Sequence, residues 1–214
     1  MTNETNTASL ERALRRAAAG SPAIEEGSAR AAARLTESAW RLGLADVAYW
    51  WADTPLGRLL VAVSPRGLVR VSFPEEDHGR TVDELARAVS PRVVESAPAT
   101  DEVRRELDEY FEGARRSFDL KVDLSPVRGF SRRVLQAAAR IPFGSVRTYR
   151  EVATTAGSPG ATRAAGNALG ANPVPIVVPC HRVVRTGGGL GGYAGGLDRK
   201  ERLLRLEGAL SSNG

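Results

Sequence analysis

Residues 148–170 read TYREVATTAGSPGATRAAGNALG, and their punctuation decides the architecture. Thr148-Tyr149-Arg150-Glu151 has the form of a capping box, which starts a short helix that ends near Gly157. Ser158-Pro159 supplies an N-cap with proline at the first helical position, so a second helix is predicted to run to about Gly170. Two short helices joined by a Gly-Ser-Pro-Gly turn predict a helix-turn-helix. Helical hairpins with this spacing also occur where no nucleic acid binds, so spacing alone leaves a purely structural role open.

The second helix is thin. Ala161, Thr162, Ala164, Ala165, Gly166, Ala168 and Gly170 are small, and only Arg163 and Asn167 are larger and polar. A major-groove helix needs several long polar side chains to read base edges. A slim helix with one arginine suits the narrow minor groove, with the arginine entering the base stack. Tight packing against neighbouring helices would explain the same small residues.

Charge points to the same half of the chain. The net charge of +5 hides a division: residues 1–120 hold 16 basic and 20 acidic side chains, whereas residues 121–214 hold 14 and 5. A polyanion would therefore bind the C-terminal half. No apolar run reaches the ~20 residues of a membrane-spanning helix, and the polar start, Met1 to Ala8, is unlike a secretory signal. A cytoplasmic protein without membrane contact is expected. One cysteine and two histidines rule out an intramolecular disulfide and are too few for a closed zinc site, so no metal is expected.

Ahead of the helical half, Val47–Trp51, Leu59–Val63 and Leu68–Phe73 are rich in β-branched and aromatic residues. Turn chemistry at Thr54-Pro55-Leu56-Gly57 and Ser64-Pro65-Arg66-Gly67 separates them, which predicts a three-stranded antiparallel meander. Thr81-Val82-Asp83-Glu84 reads as a capping box that opens a helix to about Ser90. A second helix over Asp101–Gly113 turns Val103, Leu107, Tyr110 and Phe111 inward, and Phe118–Leu124 is a linker or last strand. Residues 1–45 read as a helical annex with helices over Ser9–Ala19 and Ser28–Leu42, broken at Gly20-Ser21-Pro22; Ala32, Leu35, Ala39 and Leu42 share one face of the second. The predicted class is α+β. A small antiparallel-sheet domain, residues 46–124, precedes a mainly helical domain with the helix-turn-helix, residues 125–210. His78, in a charged loop, is expected at the surface.

The chemistry concentrates in residues 171–183, ANPVPIVVPCHRV. Lone cysteines are commonly inert and buried, but Cys180 sits between Pro179 and His181 beside Arg182, and positive charge favours a thiolate. His181 could act as base, directly or through water. Glu207, at the end of the last predicted helix, offers a carboxylate to orient the imidazole.

With Asn172-Pro173-Val174-Pro175 ahead of it, and Gly191-Gly192-Tyr193-Ala194-Gly195-Gly196 and Glu207 behind, this segment resembles the O6-alkylguanine-DNA alkyltransferases. The likeness is loose from Ala48 and close from Phe130 to Ala209. It implies DNA repair by direct, stoichiometric transfer of an alkyl group from O6-alkylguanine to the protein's own cysteine, with O4-alkylthymine as a further substrate. The donor is the DNA itself, so no cofactor is implied. The partner is double-stranded DNA carrying alkylated bases, bound through the minor groove by a monomer. Carried across residue by residue, Cys180 matches the acceptor, His181 the water-linked base, Glu207 its orienting carboxylate and Asn172 the brace of the active-site segment. Tyr149 matches the tyrosine that crowds the phosphate and donates to the flipped base. Arg163 matches the finger that fills the stack, with Ala161, Thr162, Ala164 and Asn167 on the same DNA-binding helix. Tyr193, Ala194, Gly195 and Val178 match the base pocket. Three other readings share parts of this pattern: a lesion-binding module without repair, a cysteine hydrolase using Cys180, His181 and Glu207, and a helix-turn-helix regulator.

Overall fold

The computed structural model describes residues 22–210. The expected helix at Ser9–Ala19 lies outside the described residues. Helix α1, Pro22–Arg41, begins earlier than the expected Ser28. The shared face of Leu35 and Leu42 is not covered, the two being 72% and 73% exposed, while Trp40 packs against the core.

Strands β1 (Val47–Thr54), β2 (Gly57–Ser64) and β3 (Gly67–Ser72) form the expected antiparallel meander. Period-2 alternation sends Leu59, Val61 and Val63 to one face and Leu60 and Ala62 to the other. Both faces are covered, which is why β2 reads as a continuous apolar run. The sheet is not wholly antiparallel: β4 (Val93–Glu95) adds a parallel edge to β1. Three residues carry too little period to be visible in sequence.

Helix α2 spans His78–Ala88, four residues ahead of the start that a Thr81 cap predicts. Its cap is Asp77, whose Oδ1 accepts from the Arg80 amide at 2.6 Å, so Thr81 is buried within the helix instead of capping it. His78 is correspondingly not a free surface residue; its ring meets Tyr49 edge-on and Trp51 at a tilt, with centroids at 5.3 and 5.2 Å. Helix α3, Asp101–Phe111, buries Val103, Leu107 and Tyr110 as its spacing predicts. The strap after it bridges to β3 through the Leu68 and Asp123 amides.

The helical half holds α4 (Gly129–Ala138), α5 (Tyr149–Thr155), α6 (Thr162–Gly170) and α7 (Leu197–Leu206). The Thr148–Glu151 capping box is present in both directions. Helix α6 starts at Thr162, because Ser158–Gly160 forms the turn instead of the first helical residues; the Ala161 amide bonds Ser158 O at 3.0 Å. A parallel pair missed in sequence, β5 (Arg147–Thr148) with β6 (Val183–Val184), ties the start of α5 to the segment after Cys180. One apolar core runs from Val61 and Leu107 through Leu135 and Ala165 to Leu203. The active-site segment is thus anchored from both halves.

Candidate active site

Cys180 opens a one-turn 3₁₀ helix, Cys180–Arg182, and is 4% exposed. Asn172 holds the segment by three bonds. Its Nδ2 donates to Val178 O at 2.8 Å and to Cys180 Sγ at 3.1 Å, and its Oδ1 accepts from the Val174 amide at 3.0 Å. Within this bracket Ile176 adopts φ 74°, a conformation costly for a β-branched residue, at about 1–3 kcal/mol. A fixed bracket of this kind is what lets such a conformer persist.

His181 is fully buried, and its Nε2 lies 3.0 Å from Glu207 Oε1. Arg182 grips the same carboxylate in a fork, Nε to Oε2 at 2.8 Å and Nη2 to Oε1 at 2.7 Å. Tyr110 Oη donates to Oε1 at 2.7 Å. Burial alone would push Glu207 up, but the bonds from His181 and Arg182 outweigh it and bring the carboxyl to about 2. Glu207 is therefore ionised, and an ionised carboxylate accepts only, so His181 carries its proton on Nε2. Burial lowers the imidazole's own basicity despite Glu207, keeping it neutral near pH 7. Its Nδ1 is buried and has no protein partner among the described residues.

The thiol departs from expectation. Neighbouring positive charge suggests a resting thiolate, yet burial raises Cys180 to about 11, against the lowering effects of Asn172 and Lys200. Arg182 spends its charge on Glu207. The resting group is a thiol that needs a base as it attacks.

Cys180 lines a cavity of about 570 Å³, within the range that holds a small-molecule or base-sized ligand. Tyr149 and Arg163 face it from the helix-turn-helix, and Tyr193 and Ala194 from the glycine-rich loop. Thr162 and Asn167 also line it. Ala161 and Ala164 do not; Ala164 is exposed beside Arg163 and Asn167 on the outer face of α6. Val178 and Gly195, expected in the base pocket, do not line it. The Val178 carbonyl is already taken by Asn172 and by the Cys180 amide, and a Cβ at Gly195 would lie 2.7 Å from the Phe73 ring. Gly191 has φ 72°, and a Cβ there would meet Tyr149 Oη at 2.6 Å. Tyr149 Oη donates to Gly192 O at 3.3 Å, which sets the tyrosine against the loop.

Sequence reasoning misses three residues. Helical spacing puts Tyr110 in the core without a partner, and Arg182 counts there only as charge for the thiol. Lys200 is wholly buried and donates from Nζ to the carbonyls of Val183, Leu190 and Gly192, clasping both ends of the loop. A signal exists: Lys200, Leu203, Leu204 and Glu207 fall at i, i+3, i+4 and i+7, so both charged residues lie on the apolar stripe of α7. Among the described residues no cluster of three or more metal-ligating side chains occurs, and no helix is long and apolar enough to cross a membrane.

Two family models match the chain. One, the DNA-binding domain of 6-O-methylguanine DNA methyltransferase, matches residues 129–209. The other, the ribonuclease-like domain of the same family, matches residues 47–124. Among curated relatives, the methylated-DNA–protein-cysteine methyltransferase of Methanosarcina acetivorans is 41% identical over 157 residues, 73% of this chain and 96% of its own. The constitutive enzyme of that name from Bacillus subtilis is 37% identical over 163 residues, 74% and 94% of the two chains. Among solved structures, the O6-methylguanine methyltransferase of Mycobacterium tuberculosis superposes with a TM-score of 0.64 at 37% identity, covering 78% of this chain and 96% of that one. A second structure from the same organism, in complex with DNA, gives 0.64 at 36% identity over 76% and 93%.

Proposed function

The chain belongs to the 6-O-methylguanine DNA methyltransferase family, and from that premise we propose that Cys180 is the alkyl acceptor and that the residues around it act as one relay. Members of this family repair DNA by direct alkyl transfer to a cysteine of the protein, and this chain does so as a methylated-DNA–protein-cysteine methyltransferase. The observation that carries the assignment is simple: the sequence contains one cysteine, and it lines the cavity.

The target carbon lies within the duplex, so the base must leave the stack, at a cost of a few kcal/mol. Arg163, exposed on α6, would fill the gap and offset that cost; the exposed face it shares with Ala164 and Asn167 would lie along the minor groove. With the base in the cavity, His181 Nδ1 would draw the thiol proton through a bridging water as sulfur attacks. A C–S bond forms in line as the C–O6 bond breaks, and the electron pair stays on the base. The Tyr149 hydroxyl, turning its one proton away from Gly192 O, and the Ala194 amide would donate toward the base and stabilise that charge, since both residues line the cavity. The product thioether has no ready leaving group, so one chain repairs one lesion. A single chain supplies every part, and a cytoplasmic monomer is the expected working form.

The test is intact mass after mixing with duplex DNA bearing one O6-methylguanine, with Cys180→Ser as control. Uptake of one methyl per protein, absent in the variant, supports suicide transfer. Tight lesion binding without mass gain would favour the binding-module reading, and turnover of an ester would favour the hydrolase.

A further inference from the structure

Glu207 is at the end of α7, and the imidazole it orients is on the 3₁₀ turn, yet one of the donors on its carboxylate comes from the other half of the molecule. Tyr110 belongs to α3, in the sheet-bearing half, and is completely buried. Its ring is packed by Phe111, Phe118 and Phe143 at 5.2, 5.2 and 6.2 Å. A tyrosine hemmed in by three aromatic rings points its hydroxyl in one direction, and that direction ends on Glu207 Oε1.

We propose that Tyr110 is a positioning residue for alkyl transfer: with the Arg182 fork it fixes Glu207, and through Glu207 it fixes the His181 ring with Nδ1 turned free. The inference rests on the assignment of Cys180 and His181 made above. Oε1 accepts from Tyr110, His181 and Arg182 together, whereas Oε2 accepts from Arg182 alone among the described residues. Every donor drains charge from the oxygen that faces the imidazole. Without the tyrosine hydroxyl, Oε1 would pull harder on the Nε2 proton and stabilise the imidazolium. Burial, followed by the charge of Glu207, raises the Tyr110 hydroxyl far above its ordinary range, so it remains a donor throughout any working pH.

The charged and titratable groups facing His181 are Glu207, Arg182, Lys200, Cys180 and Tyr193. Of these, Glu207 is the one that accepts a hydrogen bond from Tyr110. Removing the hydroxyl therefore makes His181 easier to protonate, and a protonated imidazole cannot take the thiol proton. The acidic limb of the rate profile moves to higher pH.

The experiment measures single-turnover methyl transfer from an O6-methylguanine duplex between about pH 5 and 9, in wild type, Tyr110→Phe and Val103→Ala. The last removes buried bulk from the same helix face without touching Glu207. Tyr110→Phe should slow transfer about tenfold at neutral pH and raise the acidic limb by about half a pH unit or more, while Val103→Ala leaves the limb in place. The ¹⁵N shifts of the His181 ring give a second readout: a single Nε2–H tautomer in wild type, and the same tautomer protonated at higher pH in Tyr110→Phe. An unmoved limb with unchanged ring shifts overturns the inference, as does an equal shift in Val103→Ala. If wild type takes up no methyl, the assignment of Cys180 fails first.

Discussion

Replacing Glu207 by glutamine should cost about 3 kcal/mol of stability at neutral pH, and the cost should vanish in acid. The carboxyl is lowered from its ordinary 4.5 to about 2, and a carboxyl held one pH unit below its ordinary value is stabilised in its ionised form by about 1.4 kcal/mol. A depressed folded-state value means that the stabilisation is fully present above pH 4.5 and is lost as pH falls toward 2. Breaking the ion pair with Arg182, 8% exposed, accounts for the same loss and is not additional to it: breaking such buried pairs costs about 3–5 kcal/mol. Urea unfolding of both proteins at pH 7 and at steps down to about pH 3 measures the difference directly. A gap below about 1 kcal/mol at neutral pH, or one independent of pH, would refute the account of Glu207 as an ionised anchor. The same variant should lose alkyl transfer by about 10²–10⁴-fold, since an amide can donate to the imidazole and favour the wrong tautomer, as in the serine-protease case.

The free thiol should titrate late: iodoacetamide labelling of Cys180 should be slow at about pH 8 and accelerate only toward about 11, and a midpoint near about 7 would contradict a buried resting thiol. Gly191→Ala should lower transfer by at least about tenfold with little change in DNA affinity, because the new Cβ at positive φ displaces Tyr149; unchanged kinetics would show that the loop yields freely. Lys200→Met should loosen residues 184–192, seen as faster amide exchange across the loop with α5 and α6 unaffected, since three carbonyls lose one donor.

Much of the molecule is local and therefore readable. The Thr148–Glu151 box, the meander turns and the inner face of α3 depend on residues a few positions apart, and the structure bears them out. Local signals also mislead: Thr81-Val82-Asp83-Glu84 has the spacing of a capping box, yet Asp77 caps α2 and Thr81 is buried within the helix. Residues 162–170 begin later than Pro159 suggests because the turn needs Ser158–Gly160 for itself. The face of α1 is legible as a stripe but not as a contact, since amphipathic spacing says nothing of what covers it.

The chemical inventory of the site is written in the chain: a single cysteine beside histidine and arginine, an asparagine eight residues ahead, and a glutamate on the last helix. How those groups behave is a property of the folded molecule. Arg182 serves the carboxylate instead of the thiol, burial holds Cys180 as a thiol, and a tyrosine from the sheet half completes the relay. Protonation state and hydrogen-bond partner depend on burial and on atoms brought from 97 residues away, and neither is encoded in neighbouring residues.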